Sequence, residues 1–442
     1  MNQDQKNTEI QPRAIALLPI AVFLVLFIGV GAYLQSKGTH FAFYQLPAPV
    51  AILPALALAL LLSKNKLNKA IEQMIQGMGH NNIITMCLIF LLAGGFSVVA
   101  KATGGVDSVV GIGLSIIPSW FLVPGLFIVS AFIATAMGTS MGTIAAVGPI
   151  AVGISHAAGV SPELMAGAVL SGAMFGDNLS IISDTTIAAT RTQNCQMKDK
   201  FRENFKIALP AAILALLIFW YLSGNTSVPD QKDLAILPAI PYIIILILAI
   251  VGVNVFVVLA LGILLAGLNG IIGSDYSLMV FAKDIYKGFT GMQEIFILSL
   301  FIGGLSELMR HQGGLAFLQK WVSKLVDRLG RGQGSAQLGI AVLVMLTNIC
   351  TANNTIAILV AGGVAKEVAD EHHISGRRSA SILDIFACVI QGLIPYGAQV
   401  LLLGSLFKIT PLNVISMAVY PLVLAVVALI TLFIRHRGTQ RG

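Results

Sequence analysis

Long apolar runs separated by short polar segments make up most of the chain. Residues 14–34 form one such run, residues 205–222 form a second that only Lys206 interrupts, and residues 412–434 form a third. About 20 helical residues cross the hydrocarbon core of a bilayer. The pattern therefore predicts an all-α membrane protein. The first run shows no small-residue cleavage site, so it predicts a retained helix rather than a signal peptide.

The pattern of apolar, small and polar residues also occurs twice. Residues 91–105 (LLAGGFSVVAKATGG) match residues 300–314 (LFIGGLSELMRHQGG) at an offset of 209. Further on, Thr139 recurs as Thr351 within a matching set of threonines, at an offset of 212. In a membrane chain, such duplication is typical of transporters whose binding site lies where two repeats meet.

The distribution of Lys and Arg between equivalent loops predicts that the two repeats have opposite orientations. The loop after the first Gly-Gly pair carries Lys101 and Asp107, whereas its counterpart carries five cations. Two further loop pairs differ in the same way, and one of their basic loops includes Lys200. Because cationic loops lie in the cytoplasm, we expect about five transmembrane helices per repeat, a re-entrant hairpin or broken helix in each, and cytoplasmic termini. The predicted units are a first repeat over 1–222, an extracytoplasmic linker over 223–233 and a second, inverted repeat over 234–442.

Composition agrees with a membrane protein and narrows its class. Hydrophobic residues make up 56% of the chain and charged residues 11%, against about 25% charged residues in soluble domains. The net charge of +7 comes from short cationic loops, so it indicates membrane orientation rather than nucleic-acid binding. The chain has no paired cysteine spacing, no GxxxxGK[ST] phosphate loop and no HExxH motif. These features argue against an ATP-driven pump or a metalloprotease, and we expect a transporter rather than an enzyme.

Polar residues interrupt two apolar segments where a helix should lie in the bilayer. Residues 119–156 are interrupted by GTSMGT at 138–143, and residues 338–369 are interrupted by TNICTANNT at 347–355. Polar backbone at membrane depth is tolerated only where it is buried in protein or lines an aqueous cavity. We therefore expect a re-entrant hairpin or a broken helix at each interruption. A helix-packing face of small residues is the alternative.

The strongest candidate for chemistry is the acidic segment GDNLSIISDTT at 176–186. It places Asp177 and Asp184 among hydroxyl side chains, and acids within membrane segments are usually functional. Their seven-residue spacing would put both on one face of an unbroken helix. Sodium prefers oxygen ligands, and two carboxylates in one site of low polarity also favour binding of a proton. Asp177 and Asp184 are therefore the predicted sodium ligands, and a solvated loop with capping residues is the alternative.

The second half has no acid pair at the equivalent position, where residues 391–399 have the neutral sequence QGLIPYGAQ. Asp384 lies nearby. Two roles are open for it, a local ion pair with Arg377 or Arg378 and a part in binding. The predicted site is thus asymmetric, with amide and hydroxyl groups from the second half that could ligate a cation or hold a substrate carboxylate. These second-half candidates are Asn348, Thr351, Asn353, Asn354 and Thr355.

The polar segments resemble signatures of a known family. GTSMGT at 138–143 is similar to GTSWGT, and GDNLSIISDTT at 176–186 is similar to GDKLSPLSDTT, in the NhaC-type sodium/proton antiporters. That family belongs to a wider superfamily of inverted-repeat carriers, and the resemblance covers roughly residues 80–430. The resemblance implies ion-site roles for Thr139, Ser140, Asp177, Ser180, Ser183, Asp184 and Thr185.

The chain departs from the family pattern at Met141, Asn178 and Ile181, where the family has Trp, Lys and a helix-breaking Pro. The family also contains carriers that exchange organic acids or amino acids against sodium and protons. The leading prediction is a secondary transporter that exchanges sodium for protons across the cytoplasmic membrane by alternating access. The alternative is a sodium- or proton-coupled carrier of a small organic acid or amino acid, in which Asn353 and Asn354 contact the solute. We expect Na+ and H+ as coupling ions, no cofactor and no nucleic-acid partner, with the lipid bilayer as the environment and a homodimer as an open option.

Overall fold

The structure is all-helical, as the apolar pattern predicts. The computed structural model describes residues 11–39, 45–181, 183–224, 237–273, 275–329 and 332–433. Within these ranges the regular elements are helices and no strand occurs. The predicted linker over 223–233 lies outside the described residues apart from Ser223 and Gly224, and so do both chain ends.

The helices of the first half range from short elements of about two turns to long apolar ones. They are α1 (Ala14–Leu34), α2 (Leu53–Leu61), α3 (Leu67–Met78), α4 (Asn81–Ala102), α5 (Gly105–Ile116), α6 (Leu122–Met137), α7 (Ser140–Ala158), α8 (Pro162–Leu179), α9 (Asp184–Thr192) and α10 (Met197–Ser223). Local sequence explains the turn between α7 and α8. Gly159 ends α7 in the left-handed conformation, Ser161 caps α8 with its hydroxyl, and Pro162 occupies the first turn.

The second half follows the same order. Its helices are α11 (Ile240–Ile250), α12 (Val255–Gly273), α13 (Leu278–Gly291), α14 (Gln293–His311), α15 (Gly314–Leu329), α16 (Gln333–Thr351), α17 (Asn354–Glu371), α18 (Gly376–Gln391), α19 (Ala398–Phe407), α20 (Pro411–Ser416) and α21 (Val419–Phe433). Helices α3 to α9 thus have counterparts in α13 to α19, in the same order along the chain.

Seven spans in the described residues are long and apolar enough to cross a bilayer, and an eighth results if the bent pair α13–α14 counts as one. The first half contributes five of the seven: α1, α4, α7, α8 with α9, and α10. The second half contributes α12 and α16, together with the bent pair, whose axes differ by 44°. The chain is therefore a multi-pass membrane protein, and the equal number of crossings per half stays a prediction.

Two glycine crossings join the halves in reciprocal fashion. A Cβ atom at Gly94 in α4 would lie only 2.3 Å from the carbonyl oxygen of Gly288 in α13. One at Gly77 in α3 would lie 2.4 Å from the carbonyl oxygen of Gly303 in α14. Backbones approach this closely only where no side chain separates them. Helix α3 crosses α14 and helix α13 crosses α4, so each crosses a helix of the opposite half, while the duplication itself stays a prediction.

Small residues also bring α6 directly against α8 and so position the candidate site. A Cβ atom at Gly172 would lie 2.3 Å from the carbonyl oxygen of Phe127, and one at Gly176 would lie 2.4 Å from the Cβ of Ala134. The C-terminal ends of both helices are therefore neighbours. As a result, the polar residues that follow α6 and the acid in the last turn of α8 reach the same place.

Both predicted interruptions are breaks of two residues between helices. Gly138 ends α6 at φ 69°, and Thr139 then caps α7 with its hydroxyl. In the second half Ala352 ends α16 at φ 48°, and Asn353 caps α17 with its side-chain oxygen. Thr139 is thus equivalent to Asn353, at an offset of 214. The pairing of Thr139 with Thr351 is wrong. In each half the equivalent position is the capping residue that follows the left-handed residue, and in the second half this residue is Asn353.

Candidate functional site

A cavity of about 90 Å³ lies where the helix breaks of both halves meet α4. Most of its lining residues are polar, and each half supplies some of them. The polar lining residues are Asn82, Thr85, Thr139, Ser140, Asp177, Asp184 and Thr185 from the first half and Asn353, Asn354, Thr355, Gln391 and Gln399 from the second. Eight of the twelve candidate residues predicted from the sequence are therefore brought to one cavity.

Asp177 lies in the last turn of α8, and its side chain is anchored by a chain of hydrogen bonds from the second half. Its Oδ2 accepts a hydrogen bond of 2.9 Å from the hydroxyl of Ser140. That hydroxyl accepts from Nε2 of Gln399 at 3.1 Å, and Oε1 of Gln399 accepts from Nε2 of Gln391 at 2.8 Å. Asp177 is only 6% exposed. A carboxylate this deeply buried needs a cation or a proton to offset the loss of hydration.

Asp184 has a different environment in the same cavity. It occupies the first turn of α9, where the positive end of the helix dipole favours an anion. Unlike Asp177 it is exposed. The seven-residue spacing would put both acids on one face only of an unbroken helix, and the helix is broken between them. The cavity brings them together, with Asp177 at depth and Asp184 toward the opening.

The break between α8 and α9 covers Ser180 to Ser183, although the family's proline is replaced by Ile181. Side chains satisfy the carbonyl oxygens that the missing helical turn leaves free. The hydroxyl of Thr186 donates to the carbonyl of Ser180 at 2.7 Å, and that of Ser183 donates to the carbonyl of Asp177 at 3.4 Å. Ser183 also caps α9 by accepting from the backbone N–H of Thr186. These donors keep the break in place without a proline.

The break between α16 and α17 presents two asparagines to the cavity. Oδ1 of Asn353 accepts from the backbone N–H of Ile356 at 3.0 Å, which is the cap of α17. Oδ1 of Asn354 accepts from the backbone N–H of Thr355 at 3.0 Å. Both side chains are buried. The second half thus supplies neutral polar groups to the cavity that holds the two acids.

The charge balance of the cavity favours a positively charged occupant. Its described lining residues include two carboxylates and no Lys, Arg or His. Hydroxyl and amide groups surround the carboxylates, and this donor set suits a hard cation such as sodium. An anionic ligand would instead meet Asp177 and Asp184, with no cationic side chain among the described lining residues.

Comparison with known families agrees with this chemistry. The model of the Na+/H+ antiporter family matches residues 2–223 and 231–436, which is nearly the whole chain. The chain belongs to the Na+/H+ antiporter family. It is therefore a secondary transporter that spans the membrane several times, and antiporters are transporters rather than enzymes.

Three relatives are similar to this antiporter over most of their length. The Na+/H+ antiporter NhaC of Bacillus subtilis is 25% identical and covers 81% of this chain and 84% of its own. The malate-2H+/Na+-lactate antiporter of Bacillus subtilis is 23% identical and covers 86% of this chain and 87% of its own. The arginine/ornithine antiporter ArcD of Halobacterium salinarum is 24% identical and covers 92% of this chain and 87% of its own. The similarity thus extends to antiporters named for different solutes.

Four predicted site residues lie outside the cavity lining. Ser180 and Ser183 are buried in the break, where Ser183 acts as a helix cap. Asn348 donates through Nδ2 to the carbonyl of Ala387, and the hydroxyl of Thr351 donates to the carbonyl of Asn353. All four belong to the framework that holds the two breaks.

Two lining residues on α4 were not predicted from the sequence. Asn82 and Thr85 lie three positions apart and thus on one face of a helix that is otherwise strongly apolar. Such a polar pair on an apolar membrane helix is the signal that could have revealed them.

Lys200 and Asp384 form a buried ion pair that differs from both predictions for these residues. Nζ of Lys200 lies 2.7 Å from Oδ2 of Asp384, and both side chains are 1% exposed. The placement of Lys200 in a cationic loop is wrong, because Lys200 lies one turn inside α10 and its side chain is buried. A local pair of Asp384 with Arg377 or Arg378 is also wrong, since Arg378 instead bonds Gln337 and Thr431.

Proposed function

We propose that this antiporter exchanges sodium for protons at the cavity between its halves, and that Asp177 and Asp184 bind the two cations in turn. The observation that carries the proposal is the pair of carboxylates in a cavity without a cationic lining residue among those described. A carboxylate can hold either a metal ion or a proton, so binding of one displaces the other. Exposure of one shared site to each side of the membrane in turn couples the two fluxes.

The size of the cavity favours an inorganic cation over an organic solute. Pockets for organic ligands usually measure about 300–1,000 Å³, whereas this cavity measures about 90 Å³. A malate or lactate anion would also meet two carboxylates. The alternative of a coupled carrier for an organic acid or amino acid draws its support from relatives whose names include malate, lactate, arginine and ornithine.

Transport by purified protein in proteoliposomes tests the proposal. A sodium gradient should drive a pH change inside the vesicles when no organic solute is present, because sodium and protons suffice for the exchange. Malate, lactate, arginine and ornithine are then added singly. A pH change that requires one of these solutes would overturn sodium/proton exchange in favour of the alternative.

The asparagines of the second half should affect ion affinity. Asn354→Ala removes a polar side chain from the cavity, and we expect the half-saturating sodium concentration to rise roughly 5- to 150-fold, from about 1–3 kcal/mol per lost polar partner. Asn353→Ser keeps a capping side chain on α17 but shortens the group that faces the cavity, so its effect should have the same direction. The exposed Asn65→Ala serves as the control. Sodium dependence equal to wild type in both cavity variants would assign this break to packing.

We also propose that the repeats have inverted topology in the cytoplasmic membrane, with both termini in the cytoplasm. The opposite charge bias of equivalent loops supports this arrangement. Exposed Asp107 in α5 and exposed Lys320 in α15 occupy equivalent helices. Single cysteines at these positions, in a background with Cys195 replaced by Ser, should react with membrane-impermeant maleimides from opposite sides. Labelling of both from the same side would refute the inverted arrangement.

A further inference from the structure

The ammonium group of Lys200 occupies an oxygen-lined position behind the break of the first half. It donates to Oδ2 of Asp384 at 2.7 Å, to the hydroxyl of Thr186 at 2.7 Å and to the carbonyl oxygen of Asn178 at 3.2 Å. A lysine ammonium has three donors. All three of its donors therefore have an acceptor, and the side chain is 1% exposed.

Two of these acceptors belong to the two sides of the helix break. Asn178 lies in the last turn of α8, where the free carbonyl groups form the negative end of the helix dipole. Thr186 lies in the first turn of α9 and also donates to the carbonyl of Ser180. A positive charge at this point stabilises the carbonyl end of α8 and connects it to the start of α9.

The third acceptor connects the break to the second half. Asp384 lies on α18, and its Oδ2 also accepts from Nδ2 of Asn204 at 2.7 Å. Asn204 reaches the break as well, since its Nδ2 donates to the carbonyl of Asn178 at 2.9 Å. Oδ1 of Asp384 has no hydrogen-bond partner among the described residues. The carboxylate thus depends on Lys200 and Asn204 for its compensation.

Helix α18 therefore holds the end of α8 in two ways. Asp384 pairs with Lys200, which bonds the carbonyl oxygen of Asn178 at the end of α8. Gln391 lies seven residues further along α18. It bonds Gln399, which bonds Ser140, which in turn bonds the side chain of Asp177. Residues seven apart lie on one face of a helix. The carboxylate of Asp177 is thus fixed from one side by the amide chain, and its helix end is fixed from the other side by Lys200.

We propose that Lys200 is a positioning residue for cation binding. Its ammonium is a tethered cation that caps the carbonyl end of α8 and, through Asp384, fixes the first-half break to the second half in the shape that binds the transported ion. This role rests on the proposed sodium/proton exchange for its transport readout. The alternative is that the pair only joins α10 to α18, in which case any opposite-charge pair or a well-packed apolar pair would serve equally.

The double variant Lys200→Met/Asp384→Leu separates these roles, because replacing a buried ion pair by apolar residues is often neutral for folding. We expect the half-saturating sodium concentration to rise roughly 5- to 150-fold, equivalent to about 1–3 kcal/mol, while the rate at saturating sodium changes little. Amide hydrogen exchange in the peptides that cover 177–190 should become faster. The control is Lys206→Met, an exposed lysine on the same helix.

The charge swap Lys200→Glu/Asp384→Lys retains an ion pair and is the second variant. It would place a carboxylate against the carbonyl of Asn178, so we expect it not to restore sodium affinity or slow amide exchange at the break. Wild-type sodium affinity and wild-type amide exchange in either double variant would overturn the proposal. Amide exchange does not depend on which ion is carried, so failure of sodium/proton exchange in wild-type protein is distinguishable from failure of this inference.

Discussion

The Asp177→Asn variant is expected to lose sodium/proton exchange while it remains folded. The amide keeps the size of the side chain and can still bond Ser140. It carries no charge, however, and it cannot take up or release a proton during transport. Asp177 is the buried acid of the cavity, so no solvent compensates for the missing ligand. Exchange measured by the sodium-driven pH change in proteoliposomes should fall by about 100-fold or more, since bonds to a charged group are worth about 1.5–3 kcal/mol and proton coupling is lost as well.

Asp184→Asn should have the smaller effect of the two acids. Asp184 is exposed toward the cavity opening, so water can replace part of its contribution, and a raised half-saturating sodium concentration is expected. The sequence alone suggests the opposite order, because Ser183 and Thr185 flank Asp184 as hydroxyl co-ligands. Asp107→Asn, an exposed acid on α5 outside the cavity, is the matched control. Wild-type exchange in Asp177→Asn would show that its carboxylate is structural.

Gly288→Ala is expected to destabilise the protein strongly, whereas Gly291→Ala on the same helix should not. A Cβ atom at Gly288 would lie 2.4 Å from the carbonyl oxygen of Gly94, so the crossing of α13 with α4 would have to open. At Gly291 nothing lies within 4 Å. Overpacking typically costs about 1–3 kcal/mol, and more when the neighbour is backbone, while alanine in an open helical position gains up to about 1 kcal/mol.

Thermal unfolding in detergent, followed by size-exclusion chromatography of heated samples, measures this difference. The midpoint for Gly288→Ala should fall by several degrees or the folded peak should be lost, and the midpoint for Gly291→Ala should stay at or above that of wild type. Equal midpoints for the two variants would contradict the close helix crossing between the halves.

The locations of the helix breaks could be predicted from the sequence, because a polar segment within an apolar membrane run is stable only where protein or a cavity surrounds it. The segments 138–143 and 347–355 and the stretch from Ser180 to Ser183 satisfy that condition directly. The register between the halves could not be predicted, because threonine identities suggested Thr351 as the partner of Thr139 whereas the backbone places Asn353 there.

The buried pair of Lys200 and Asp384 also escaped prediction, and the reason is long-range packing. Lys200 follows a cationic loop, so the loop pattern explains its charge without a partner. Asp384 follows two arginines and suggests a local pair. Only the packing of α10 against α18 brings the two side chains together at 2.7 Å. Similarly, Asp177 is buried and Asp184 is exposed because of the tertiary packing around the break between α8 and α9, which the local sequence does not specify.

Proton release on sodium binding tests the central claim most directly. Purified wild-type protein in weakly buffered detergent solution should release protons when sodium chloride is added, because sodium displaces protons from the carboxylates of the cavity. Choline chloride should release none, and Asp177→Asn should release far fewer protons at the same sodium concentration. Absence of proton release from wild type, or equal release from Asp177→Asn, would contradict exchange of sodium for protons at this site.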